Sequence, residues 1–271
     1  MTPPRSGAVT SCDRVDGRKE RRPMTAAPKR VELVFEVPWT HPSWVLEDEK
    51  MPESALQDAV CDALASSLRA WSKRVGRAAM VRRNLAVRWD EDHPRIGVDP
   101  DVCVLIPPPV TPESKLRSLR TWEEGNAPPL VAIEVVSAEM PRKDYELSPR
   151  KCGAAGVGEL WVFDPQRLGP RDDGGPWALQ VWSRGRRGEF RRVYAGEGPA
   201  RSDALDAWVL VTDEGMRLRV SDDEQGAKLW PTEAEEARAA EAERDAITKE
   251  RDAMRAKIAE LEAMLARRGA G

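Results

Sequence analysis

One acidic residue inside an uninterrupted apolar run constrains this chain more than any other feature. The segment "LVAIEVVS" (130–137) reads as a buried strand in which six apolar residues surround Glu134. A carboxylate leaves water only at a large cost unless something compensates it. A second apolar strand, "VDPDVCVL" (98–105), opens with Asp99 and Asp101 on either side of Pro100. Side chains alternate along a strand, so Asp101 shares a face with Cys103 and Leu105, while Val102, Val104 and Ile106 take the other. If the two strands are neighbours, the carboxylates of Asp101 and Glu134 lie close together. Two compensations are open. One is a divalent cation, for which hard oxygen ligands suit Mg²⁺; the other is a structural salt bridge with one of the many arginines.

Other chemistries are poorly supported. The two histidines, His41 and His93, each precede a proline in loop-like sequence, and no HExxH occurs, so a histidine-rich metal site is excluded and a Ser/Cys–His hydrolase has little to work with. Neither GxGxxG nor GxxxxGK[ST] is present, which leaves nucleotide-phosphate cradles unsupported. Cys12, Cys61, Cys103 and Cys152 are scattered without a CxxC pair, a pattern of reduced thiols rather than a zinc ribbon. The 271 residues carry a formal charge of -3 with 33% charged residues. Any nucleic-acid contact must therefore use a local basic patch rather than a global field. No run of 18 apolar residues and no signal-peptide core occurs, so a soluble, cytoplasmic protein without a membrane segment is expected.

Along the chain, residues 1–30 mix Pro, Ser, Gly and charge without an apolar period and read as a disordered tail, with residues 1–23 outside the fold and Met24 as a candidate start. Its cluster Arg18, Lys19, Arg21 and Arg22 is either a solvated tail or a nucleic-acid contact. "VELVFEV" (31–37) alternates as a short strand. Past Pro52, Leu56, Val60, Leu64, Leu68 and Trp71 form the apolar face of an amphipathic helix. "AAMVRRNLAVRWD" (78–90) predicts one strand or two, and "RIGVDPDVCVLIP" and "PPLVAIEVVS" one each. Between the last two lies residues 107–129, bounded by prolines and too polar for core, a long excursion with room for one helical turn. "KDYELSPRKCGAAGVGELWVFDP" (143–165) predicts a short helix before Gly156, a buried strand containing Trp161, and a turn formed by Asp164. Two hairpins follow, one through "RGRRG" (184–188) and one turning at Asp213-Glu214-Gly215. The whole is a mixed α/β (α+β) domain spanning 31–222, then a linker at 223–231.

The last segment differs in kind. Thr232 and Glu235 match a capping box. Ala240, Ile247, Met254 and Leu261 recur every seven residues; Ala237, Ile258 and Leu265 fit the partner seam, which Arg244 and Arg251 interrupt. This predicts a coiled-coil helix over 232–268 that makes a homodimer or small homo-oligomer, a solvated single helix being the alternative.

Four motifs in order carry a resemblance. Pro100-Asp101 opens one strand and Glu134-Val135-Val136-Ser137 closes the next. Lys143-Asp144 begins the helix, and Gly156-Val157-Gly158-Glu159-Leu160-Trp161 leads to Asp164-Pro165. Over roughly residues 36–220 the chain resembles the Uma-type restriction endonuclease family, within the PD-(D/E)XK nuclease superfamily. The resemblance implies a restriction-endonuclease-like mixed central sheet flanked by helices. It implies Mg²⁺, or Mn²⁺, held by Asp101 and Glu134 with the Val135 carbonyl, and hydrolysis of phosphodiester bonds in nucleic acid, DNA above all. The superfamily's early helix supplies a further ligand, for which Glu53, Asp58 and Gln57 are candidates. The motif lysine would fall at Val136, which can neither orient water nor stabilise an anion. Relatives use a lysine of the following helix instead, here Lys151 first and Lys143 second, with Cys152 where the family has an aromatic. A catalytically inactive binding module and a coiled-coil adaptor are the alternatives to an active endonuclease; Lys143 and Lys151 as plain surface charges belong to those alternatives.

Overall fold

The computed structural model describes residues 34–35, 41–46 and 54–269. The expectations for residues 1–30, for Glu53 and for most of 31–37 lie outside the described residues. Strand β1 (Val34–Phe35) precedes helix α1 (Ala55–Arg74), which begins at Ser54, whose Oγ accepts from Gln57 N at 3.2 Å. The predicted helix face is the buried one: Val60, Leu64, Leu68 and Trp71 all enter the core. The 78–90 segment forms two strands, β2 (Met80–Arg83) and β3 (Ala86–Arg88). Then come β4 (Val102–Leu105), β5 (Ser118–Arg120) and β6 (Val131–Val135). A π-helical turn (Lys143–Leu147) runs into helix α2 (Ser148–Ala154), with β7 (Glu159–Phe163) behind it. The hairpin β8 (Leu179–Arg184) and β9 (Phe190–Gly196) follows, then β10 (Ala200–Ser202), β11 (Ala207–Thr212), β12 (Arg217–Ser221) and helix α3 (Glu233–Gly269).

Seven strands form the central sheet in the order β1-β9-β8-β7-β6-β4-β2. It is mixed: β6 and β7 are parallel and the remaining neighbours antiparallel. Both faces are covered, which is why its middle strands read as continuous apolar runs rather than alternating ones. On one face Val102, Val104, Val131, Ile133 and Trp161 meet the α1 stripe and the small sheet β10-β11-β12. On the other, Cys103, Ala132, Leu160 and Val162 meet Cys152, Ala155 and Val157 from α2 and its exit. Gly158 permits the close start of the parallel pair, because a Cβ there would stand 2.8 Å from the Leu130 carbonyl oxygen. Gly156 follows α2 with φ +85°, the left-handed conformation that ends helices most cheaply in glycine.

Two details depart from the sequence reading. The excursion at 107–129 contains the expected helical turn (Glu113–Lys115), but it is not excluded from the core: Leu116 and Leu119 are buried, and β5 pairs in parallel with β3. Strand β10 extends the last hairpin to three strands. The short helix expected before Gly156 does form, over "SPRKCGA", with Pro149 in the first turn, where its missing N–H costs nothing.

Helix α3, about 55 Å long at 1.5 Å per residue, touches the rest of the fold through its start. The capping box forms as expected: Thr232 N donates to Glu235 Oε2 (2.7 Å) and Glu235 N to Thr232 Oγ1 (3.2 Å). Just before it, Trp230 stacks on Trp71 at 4.8 Å between centroids. Glu233, Glu235 and Glu236 then pair with Lys73, Arg219 and Arg74. Beyond that turn the seam residues are open to solvent, with Ile247, Met254 and Ile258 at least half exposed.

Candidate active site

The antiparallel register of β4 and β6 pairs Val102 with Ile133 and Cys103 with Ala132. One step further along that register brings Asp101 opposite Glu134, so the sheet itself puts the two acids side by side. Asp101 Oδ2 accepts a hydrogen bond from Val135 N at 2.7 Å, which ties the carboxylate to the end of β6. Gln57, in the first turn of α1, reaches the same place: its Nε2 lies 3.4 and 3.3 Å from Asp101 Oδ1 and Oδ2 and 3.2 Å from the Val135 carbonyl oxygen.

Glu134 is 1% exposed, and its Oε1 is buried without a hydrogen-bond partner. Burial pushes its carboxyl well above the ordinary range; the Lys143 ammonium opposes that shift, while Asp101 and Asp144 add to it by like-charge repulsion. Ser148 stands close enough to favour the ionised carboxylate, but its Oγ is itself buried without a partner at hydrogen-bonding geometry. The cation acting most strongly on Glu134 is therefore a lysine, not the arginine that a structural ion pair would have recruited.

The two lysines arrive from the segment after β6. Lys143 opens the π-turn, keeps 43% of its side chain exposed, and lies 3.7 Å from Asp144. The Glu134 carboxylate holds its ammonium well above the usual lysine range, against the opposing effect of burial. Lys151, on α2, is 7% exposed; burial and then the Lys143 charge push its pKa down. Asp144 is buried, and desolvation raises its carboxyl to about 7 in spite of Lys143. Asp101, Glu134, Lys143, Asp144 and Lys151 thus form one interacting group at the end of β4 and β6. A pocket of about 300 Å³ opens beside it, lined in part by Gln57, Val135, Ser137 and Gln166.

Other candidates fall elsewhere. Asp58 pairs with Arg83 of β2 at 2.7 Å, and Arg83 also binds Asp62. Val136, at the motif lysine position, is buried in the α2-side core. Trp161 is fully buried, and its Nε1 donates to Glu159 Oε1 at 2.6 Å. Asp164 organises its turn as expected, accepting from Leu168 N, Gly169 N and Tyr145 Oη. The histidines serve local turns: His41 Nδ1 accepts from Ser43 N, and His93 pairs with Asp90.

As a donor set for a hard divalent cation the residues fit. The Asp101 carboxylate and the Val135 carbonyl share the Gln57 amide, the Glu134 carboxylate interacts with Asp101, and one Glu134 oxygen is buried without a hydrogen-bond partner, so hard oxygen donors are gathered here. Asp101, Glu134 and the Val135 carbonyl would hold the ion. Its charge would oppose the burial, and the lesser like-charge repulsion, that raise the Glu134 carboxyl.

Residues 45–169 match the family model Uma2, described as "Putative restriction endonuclease", a segment that includes Gln57, Asp101, Glu134, Lys143 and Lys151. Among solved structures, a putative nuclease belonging to DUF820 from Anabaena variabilis ATCC 29413 is similar at 15% identity, covering 58% of this chain and 76% of that one, with a TM-score of 0.40. No curated protein matches the chain. Residues 45–169, less than half of the 271-residue chain, are thus similar to the Uma2 family, the Uma-type resemblance that the four motifs carry.

Proposed function

We propose that the chain is a Mg²⁺-dependent endonuclease that hydrolyses phosphodiester bonds of DNA, with Asp101, Glu134 and the Val135 carbonyl as ligands and Lys151 assisted by Lys143. Mn²⁺ suits the same oxygens. The observation that carries the reading is Glu134, a buried carboxylate with an unpartnered oxygen beside a second carboxylate. That arrangement is costly unless a positive charge completes it.

The bound cation would offset charge on the phosphate and make a water more acidic. The chain's own residues supply the rest. Val135 N–H fixes the orientation of Asp101, so little reordering is needed to present its oxygens. Lys143, held protonated by Glu134, is a fixed positive charge beside the phosphate position. Lys151, whose ammonium is weakened by burial, gives up a proton more readily and takes the role of orienting and deprotonating the attacking water. This division answers the missing lysine at Val136: the amine comes from α2, on the face of the sheet that Glu134 shares.

The same reading includes self-association. The seven-residue apolar period of α3, exposed beyond its first turn, matches the seam of a second copy of the same helix. Its arginine-interrupted seam makes the association modest.

Supercoiled plasmid is the test. Wild-type protein should nick it with Mg²⁺ or Mn²⁺ but not with EDTA, and Asp101→Asn should abolish nicking. Cleavage that survives either EDTA or the substitution contradicts the reading. DNA binding without cleavage in the wild type would establish the inactive binding module instead.

A further inference from the structure

The Gln57 amide contacts two of the three proposed ligands at once. Its place is set locally: Ser54 caps α1 through Gln57 N, so Gln57 projects from the first helical turn across the ends of β4 and β6. Its Nε2 carries two hydrogens and has three oxygens within 3.2–3.4 Å, both of Asp101 and the carbonyl of Val135. These are long hydrogen bonds, each weaker than one at about 2.9 Å. Its neighbour Asp58 is committed to Arg83, so the first turn offers the sheet an amide rather than an acid.

We propose that Gln57 competes with the divalent cation for Asp101 and the Val135 carbonyl, and so sets how weakly this site binds metal. The inference rests on the metal-site reading above. An Mg²⁺ ion draws its oxygens to about 2.1 Å and turns their lone pairs toward itself. The partly positive amide hydrogens repel that charge and occupy the same lone pairs. The cation must therefore displace the N–H₂ group, and the hydrogen bonds lost are subtracted from its affinity. Without a cation the amide donates to Asp101, and Gln57 and Val135 together line the neighbouring pocket.

Isothermal titration of the EDTA-stripped full-length chain with Mn²⁺ separates the possibilities, using wild type, Gln57→Ala, Gln57→Met and Asp101→Asn. Methionine keeps the chain length without the N–H₂ group, so a folding defect in the alanine variant does not remove the test. Competition predicts that both Gln57 variants bind Mn²⁺ more tightly, by about threefold to tenfold, the worth of roughly one net hydrogen bond. Asp101→Asn should lose binding. Unchanged or weaker Mn²⁺ binding in both Gln57 variants, with binding still lost in Asp101→Asn, overturns the competitor role and leaves the metal site standing. Asp101→Asn binding Mn²⁺ as wild type does removes the site itself, and the inference with it.

Discussion

At the residue scale the site should be readable through pH. Asp144 has its carboxyl raised from 3.8 to about 7 by burial, so the folded chain holds that proton more tightly than the unfolded chain does. An acid of this kind costs stability once pH exceeds its unfolded pKa, and the loss grows until pH passes the folded value. Glu134 acts in the same direction. In EDTA the urea midpoint should therefore be lower at about pH 8 than at about pH 5, and Asp144→Asn should flatten the difference; a midpoint that rises over that interval, or a slope untouched by the substitution, contradicts the assigned burial. Lys151→Met should slow cleavage by about 100-fold or more while leaving Mn²⁺ affinity within about threefold, the split expected of a proton-handling residue that is not a ligand. Single-turnover rates and titration calorimetry check it. Asp101 and Glu134 were legible in the sequence because an acid in an apolar strand demands explanation and the pleat predicts its face. Among Glu53, Asp58 and Gln57 the residues alone left the choice open, because it turns on a long-range contact: Asp58 pairs with Arg83, while Gln57 reaches Asp101 and the Val135 carbonyl. Both lysines were placed in the segment after β6, but the π-turn that sets Lys143 apart from α2 left no mark in the sequence.

At the element scale, the junction between α1 and α3 concentrates several contacts on one aromatic pair. Trp230 is almost fully buried, stacked on Trp71, and its carbonyl accepts from Ser67 Oγ at 2.9 Å. Trp230→Ala should cost about 3–5 kcal/mol by denaturant unfolding; a loss below about 1 kcal/mol would show that the stack carries little. Self-association is best tested by cutting after Arg238, because Glu233, Glu235 and Glu236 belong to the docked turn. Light scattering should show association of the full chain in the micromolar range and a monomer after the cut; monomers at both lengths leave α3 as a single helix. The capping box and the α1 stripe were plain in the sequence, since both follow the 3.6-residue period. The burial of Leu119 was not, because β3 and β5 are three-residue strands joined across a polar, proline-rich segment, too short to show any period.

At the scale of the whole molecule, the order of the central sheet is what makes a site from distant residues. β4 and β6 must be neighbours for Asp101 to meet Glu134, and β6 must run parallel to β7, so that the chain crosses over through the π-turn and α2 to bring in the lysines. Parallel neighbours require such a crossover, and here it carries the positive charge of the site. The long apolar runs made a covered sheet legible, but strand order depends on contacts between segments far apart in sequence and left no local mark. The central claim is that a cation, rather than a protein side chain, completes Asp101 and Glu134. The most direct test is the melting temperature of wild type and Asp101→Asn, each with EDTA and with Mg²⁺. A ligand that binds only the native state raises the melting temperature, and removing one of two neighbouring carboxylates relieves their repulsion in the metal-free state. Mg²⁺ should raise the wild type and leave Asp101→Asn unchanged, and the variant in EDTA should melt no lower than the wild type. A wild type indifferent to Mg²⁺, with a variant that melts far below it, would make Asp101 a structural partner and not a metal ligand.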